Sequence, residues 1–235
     1  MEDIDVIAAL QDPVRRRLYE YVVAQDREVG RNEAAEAAGV TRTLAAHHLD
    51  KLTEVGLLDS GSRRLTGRSG PGAGRPAKVY TRTRAEWGVS LPARDYRTAA
   101  ELLAEAAEEA GLDAGLCAAA RRRGEELRGS AAPCGGLEEA VEMLTARGYE
   151  PHLEAAQGPG GATGATGAGD PADRIIRMRN CPFHAVAERF PPLVCGMNLA
   201  LMEGMLGADG PVRARMDARP GQCCVVLEVS KNNEH

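Results

Sequence analysis

Two groups of residues in this 235-residue chain could do chemistry. The first is a set of thiols. Cys181 and Cys195 lie in NCPFHAVAERFPPLVCGMNLALMEGML, with His184 three residues after Cys181, and Cys223 and Cys224 are adjacent in PGQCCVVLEV. Thiolate and imidazole ligate zinc and iron, so these residues could hold zinc or an iron-sulfur cluster. Spacing does not choose between them: no CxxC pair occurs, 13 residues separate Cys181 from Cys195, and 27 separate Cys195 from Cys223. Cysteine also packs as a small buried hydrophobe, which leaves a metal-free core as a third reading. His184 reads as a further ligand, a group behind the ligands or an ordinary helix-face histidine. Cys117 and Cys134 stand outside the set and receive no role.

The second group is cationic. From Gly61 to Arg84 there are seven basic residues, Arg63, Arg64, Arg68, Arg75, Lys78, Arg82 and Arg84, and no acidic one, in a chain whose net charge is −5. One concentrated basic strip on an acidic protein can bind phosphates locally while the remaining charge discourages loose association elsewhere.

The elements that position the strip read as a winged helix-turn-helix. In VTRTLAAHHLDKLTEVGLL, Val40 to Leu58, Thr41 is placed to cap a helix and Gly56 to end it with positive φ. Ala45, His48, Leu49 and Leu52 recur at helical spacing and face a core, while Arg42, Thr43, Ala46, His47 and Asp50 share the opposite face, which could enter a DNA major groove. Before it, Asn32 to Val40 reads as a short helix capped by Asn32 and ended by Gly39. After it, Leu57 to Arg64 and Lys78 to Thr83 read as paired strands, and Leu65 to Pro76, LTGRSGPGAGRP, as the glycine-proline wing between them. GPGAGRPAK lacks the Gly-Lys-Ser/Thr ending of a phosphate loop, and no helix pattern follows it.

Residues Ile7 to Arg84 resemble the DNA-binding domain of ArsR-like winged-helix regulators, on the segments ALQDPVRRRLYEYV, VTRTLAAHHLDKLTEVGLL and GRSGPGAGRPAKVY. Together with the face and strip above, the expected DNA contacts are Thr41, Arg42, Thr43, Ala46 and His47 from the helix, and Arg63, Arg64, Arg68, Arg75 and Lys78 from the wing. Downstream, CPFHAVAERFPPLVC and the later Gly221-Gln222-Cys223 resemble SufR-type regulators. That resemblance implies an iron-sulfur cluster on Cys181, Cys195 and Cys223, with Cys224 an equal candidate at the last position. The chain departs from the pattern in one extra residue between the first two cysteines, the adjacent Cys pair and a long glycine insertion.

The expected architecture is α+β. Residues 1–88 form a winged helix-turn-helix domain, 89–130 a helical linker or dimerisation region, and 131–235 a small α+β sensor domain with a disordered loop at about 157–171. In the first, Asp12-Pro13 opens a helix with Leu10, Val14, Leu18 and Val22 inward and Arg15, Arg16 and Arg17 beside them. Asp95 to Ala110, carrying Tyr96, Leu102, Leu103 and Ala106, is the expected dimer helix, followed by a helix from Leu112 to Arg128. The last region reads as a helix at Leu137 to Arg147, strands at Tyr149 to Ala155 and Arg174 to Met178, a helix at Pro191 to Leu206, and a hairpin of Val212 to Asp217 with Cys223 to Val229. Aromatics make up only 3% of the chain, so its cores must be aliphatic.

No long apolar run and an acidic start, MEDIDVIAAL, point to a cytoplasmic protein with reduced thiols and no membrane partner. Beyond Cys181 and His184 nothing suggests an oxyanion hole or an orienting acid, so an enzyme is not expected. The function read from the sequence is a dimeric transcriptional regulator that binds double-stranded DNA and senses redox or iron-sulfur status. The alternative makes the second domain a pocket for a small apolar effector, lined by Met197, Leu201, Met202 and Met205, with structural or zinc-binding cysteines.

Overall fold

The computed structural model describes residues 3–25, 27–63, 76–155, 174–219 and 221–230. They fall into two compact units, Met1–Arg94 and Asp95–His235, each with its own core.

The first unit begins with α1 (Asp3–Ala8), a 3-10 turn at Ala9–Gln11 and α2 (Pro13–Gln25). Asp12 caps α2: its Oδ1 accepts from the amides of Val14 and Arg15, both at 2.9 Å, satisfying donors that the first turn leaves unpaired. Next come β1 (Val29–Gly30), α3 (Arg31–Ala38), α4 (Arg42–Glu54), β2 (Leu58–Arg63) and β3 (Ala77–Arg82). The antiparallel sheet has the order β1-β3-β2, with Val29 opposite Tyr80 and Ser60 on the other side of Tyr80. Strand β1, too short to show alternation, went unread in the sequence. Asn32 does not cap α3, because the helix starts at Arg31, two residues earlier than expected, with Gly30 at the cap position and no side-chain bond. Gly39 ends it in the left-handed region, φ 65°, where a side chain would be strained. Leu18, Val22, Ala34, Ala45, Leu49, Leu52 and Leu58 form the core.

The second unit contains α5 (Tyr96–Glu109), α6 (Asp113–Arg128), α7 (Leu137–Thr145), β4 (Pro151–Ala155), β5 (Arg174–Met178), α8 (His184–Ala187), α9 (Pro191–Leu206), β6 (Val212–Met216) and β7 (Val225–Val229). Its antiparallel sheet runs β4-β5-β7-β6. One face supplies Ile176, Met178, Val225 and Leu227 to a core with Leu144, Met202, Met205 and Leu206. On the other face Arg177 is fully buried, its guanidinium meeting Glu154 at 2.9 Å and Asp217 at 2.5 Å, so the buried charge is paired.

Helices α6 and α9 run side by side in the same direction. Cys117 lies over Gly196, and two turns on Gly124 abuts Gly204 so closely that a Cβ on Gly204 would fall 2.2 Å from the Arg121 carbonyl oxygen. The expected linker region at 89–130 spans the division between the units: residues up to Arg94 group with the first, and α5 and α6 with the second. Alanine and glycine let a backbone approach that sequence periodicity cannot display. The expected loop at 157–171 lies outside the described residues. Among those described, no helix is long and apolar enough to cross a membrane.

Candidate nucleic-acid interface and thiol cluster

Helix α4 is set by its two faces and two ends. Thr41 Oγ1 accepts from the Leu44 amide at 3.3 Å, and after the helix Gly56 takes φ 83° with the Trp87 ring against it. Ala45, His48, Leu49 and Leu52 are buried, which leaves Arg42, Thr43 and His47 exposed and Ala46 half-buried on the outer side. A short side chain at Ala46 permits close approach, and Arg42, Thr43 and His47 around it can hydrogen-bond base edges or phosphates.

Asp50 was grouped with that outer face, but its carboxylate is turned toward β3 and α3. It accepts from the Tyr80 hydroxyl at 2.6 Å, from Lys78 Nζ at 2.8 Å and from the Arg31 guanidinium at 3.1 Å. Burial raises the Asp50 pKa, yet hydrogen bonds from Lys78 and Tyr80 and the charges of Lys78 and Arg31 hold it below the ordinary value. The Tyr80 hydroxyl is correspondingly pushed up to about 12, by burial first and then by Asp50. Lys78, expected to meet DNA, is therefore half-committed to tying the wing strand to α4. Arg63 is likewise paired, with Glu28 at 3.3 Å. Both cations remain near the interface, but a phosphate must compete with a carboxylate for each. Arg64, Arg68 and Arg75 lie outside the described residues.

Arg31 was missed by the sequence reading because its partners, Asp50 and Tyr80, are brought to it by the fold. Of the α2 arginines, Arg15 is half-buried at 4.0 Å from Asp12, and Arg16 donates to the Leu10 carbonyl at 3.0 Å.

His48 sits 8% exposed in the core, and among the described residues its Nδ1 has no hydrogen-bond partner. Burial lowers its pKa, Asp12 opposes this, and the charges of Arg15 and His47 add to it. The neutral ring thus contributes stability that is complete above the unfolded histidine pKa of about 6.5 and is lost as pH falls from there toward the lowered folded value. Thermal unfolding followed by Trp87 fluorescence should show a midpoint falling between about pH 7.5 and 5.5, with the slope reduced in His48→Gln. Equal slopes in the two proteins would disprove the assignment.

In the second unit all four expected thiols converge although they come from three separate stretches. Cys195, in the first turns of α9, places Sγ 3.0 Å from Cys224 Sγ. Cys181, before α8, interacts with Cys223, which precedes β7 and accepts from Asn198 Nδ2 at 3.4 Å. The Cys181 bond and the amides of Val225 and Cys224 draw the Cys223 thiol down to about 7, against burial. Cys181 is pushed up, by its contact with Cys223 first and then by burial, and burial with the Cys224 contact pushes Cys195 to about 12. His184 is not in the cluster; it is exposed and lies 3.1 Å from Glu188. Cys134 is buried elsewhere, donating to the Gly136 carbonyl.

Thiols are the donors that an iron-sulfur cluster or a structural zinc requires, so the donor types match either, though their placement does not. As placed they are paired by hydrogen bonds, and among the described residues no group of three or more His, Cys, Asp or Glu side chains is arranged to hold a metal ion. Sulfurs bonded tetrahedrally at about 2.3 Å stand about 3.8 Å apart, so the Cys195 and Cys224 sulfurs, at 3.0 Å, must part by less than an ångström to share one.

No curated protein matches this chain. Residues 10–61 match the family model described as a helix-turn-helix domain, spanning α2 through α4 and the first residues of β2. The first unit therefore carries a helix-turn-helix domain of the regulatory, DNA-binding kind.

Proposed function

We propose that the protein is a homodimeric transcriptional regulator that binds duplex DNA through α4 and the wing, and whose second unit senses redox or iron-sulfur status at Cys181, Cys195, Cys223 and Cys224. One observation carries the DNA part: Arg42, Thr43 and His47 are exposed on the second helix of a helix-turn-helix, and the sequence that follows it carries seven basic residues and no acid from Gly61 to Arg84. Base contacts of this type are worth about 1–3 kcal/mol each, so Arg42→Ala with His47→Ala should weaken specific binding about 10- to 100-fold. Neutralising Arg64, Arg68 and Arg75 together should instead weaken binding to all duplexes and reduce the ionic-strength slope by about 2–3. Titration of a labelled operator fragment at two salt concentrations reads both. An unchanged affinity and slope in the triple variant would overturn the DNA reading.

Dimerisation is assigned to α5. Its packed side is Ala100, Glu101, Ala104 and Ala107, while Tyr96, Leu102 and Leu103 are 74%, 61% and 72% exposed. A two-turn apolar face left in water beside alanines favours a second copy of the same helix. Leu102→Glu with Leu103→Glu should convert the protein to monomer in sedimentation velocity, and a native protein that sediments as a monomer would refute the assignment.

The sensing part rests on the convergence of the four thiols. A bound iron-sulfur cluster would supply a redox-active, oxidant-labile centre there. Cys181 and Cys195, at the starts of α8 and α9, would transmit its loss by releasing those starts from β7. Such a signal alters DNA binding only if the cluster-bearing form favours one dimer geometry over another. Zinc would serve the same ligands as a structural ion. The effector-pocket reading has less support, since Met202 and Met205 are fully enclosed in the core.

A further inference from the structure

The converging sulfurs meet as two pairs. Cys223, 2% exposed, is engaged by Cys181 and by Nδ2 of Asn198, whose Oδ1 accepts from the Tyr149 hydroxyl at 2.5 Å. Cys195 and Cys224 make the other pair, with their sulfurs 3.0 Å apart although 29 positions separate them in the chain. A disulfide bond is about 2.0 Å long, so this pair has to close by about 1 Å, which a small side-chain rotation supplies.

Both backbones are fixed by the fold. Cys195 lies in the first turns of α9, and the segment of Cys224 is pinned on either side: the Cys223 amide donates to the Met178 carbonyl at 3.0 Å, and the Cys224 carbonyl accepts from the Asp217 amide at 2.7 Å. The two thiols differ in access. Cys195 is 8% exposed, whereas Cys224 is half-buried and keeps part of its surface in water, where a small solute can reach it. A rival bond between Cys223 and Cys224 is disfavoured, because the Cα atoms of adjacent residues stand about 3.8 Å apart, below the separation of about 4.4 Å at which ordinary disulfides begin.

We infer that Cys195 and Cys224 are a thiol–disulfide pair that a hydroperoxide closes. The Cys224 sulfur attacks an oxygen of the peroxide, the O–O bond breaks, and the Cys224 proton leaves with the other oxygen as water or an alcohol, so that Cys224 becomes a sulfenic acid. The Cys195 sulfur then attacks the Cys224 sulfur, the S–O bond breaks, and the hydroxyl leaves as water with the Cys195 proton. The two thiols are oxidised to one disulfide and the peroxide is reduced; a dithiol reductant reverses the bond. The product ties the start of α9 to the start of β7 and requires no metal ion. This deepens the redox half of the proposed function, and rests on that reading for its effect on DNA binding but not for the bond itself.

The test uses the full-length protein, reduced, held with a metal chelator, treated with an equimolar amount of hydrogen peroxide, alkylated and mapped by proteolysis and mass spectrometry. The expected product is a peptide pair joined through Cys195 and Cys224 of one chain, and lost on treatment with dithiothreitol. In Cys195→Ser the bond should be missing and dimedone should label Cys224, trapping the sulfenic acid; an unlabelled Cys224 in that variant overturns its assignment as the attacked thiol. A bond that forms first between Cys181 and Cys223, between Cys223 and Cys224 or between two chains overturns the inference, as does a native Cys224 that stays a thiol. Should Cys195→Ser fail to fold, the map of the native protein decides alone. Operator binding by the bonded and reduced forms tests the wider reading separately: equal affinities with the bond in place leave the inference standing and remove the regulatory role.

Discussion

Gly204→Val should destabilise the second unit by about 3 kcal/mol or more, while leaving the first unit's unfolding transition in place. Gly124 and Gly204 are each other's reason for being glycine: a Cβ on Gly124 would lie 2.2 Å from the Leu201 carbonyl oxygen, and one on Gly204 2.2 Å from that of Arg121. The obstacles are backbone atoms inside helices, so no rotamer change relieves the clash and α6 must move away from α9. That separation would also strain the Arg121–Glu203 ion pair at 2.5 Å and open the core around Met202 and Met205. Trp87, the only tryptophan, lies in the first unit, so its fluorescence reports that unit alone while far-ultraviolet circular dichroism reports both. The expected result is a split, with the dichroism midpoint falling and the fluorescence midpoint holding. Superimposable curves for native and variant proteins would show that the close crossing is not formed.

Cys181→Ser with Cys223→Ser should abolish uptake of iron and sulfide, judged by visible absorption and iron content after anaerobic reconstitution. Both belong to the set of four converging thiols, and serine oxygen is a poor substitute for thiolate toward iron. Cys134→Ser is the informative control, because Cys134 is a buried thiol tied to the Gly136 carbonyl and no part of the site. Loss of absorption in the double variant but not in the control would support the four-thiol site. Equal iron content in all three proteins would place the metal elsewhere, and zinc in its place would support a structural ion. DNA affinity measured alongside tests the coupling: if the cluster-loaded and cluster-free forms bind one operator equally, the second unit does not regulate the first through this site.

Much of the first unit could be read in advance because its signals are local. The stripe Ala45, His48, Leu49, Leu52, the Thr41 cap and the positive-φ glycines Gly39 and Gly56 need only nearest neighbours along the chain, and each is found as expected. Strand β5, at Arg174–Met178, and helix α9, at Pro191–Leu206, were legible for the same reason. The site residues divide differently. Exposure of Arg42, Thr43 and His47 follows from helical periodicity, but the pairing of Lys78 and Arg63 with carboxylates 28 and 35 residues away does not.

Sequence alone determined the long elements and their order and the outward edge of α4, but not β1 or α8. Only the tertiary structure decided that Asp50 faces inward against Arg31, Lys78 and Tyr80, that α5 and α6 belong to the second unit, and that Asn198 and Tyr149 stand behind Cys223. The physical reason is the same in each case. A helix or cap is fixed by bonds spanning three or four residues, whereas a buried carboxylate, a glycine crossing or an amide aimed at sulfur depends on groups far apart in the chain, whose meeting is settled by packing.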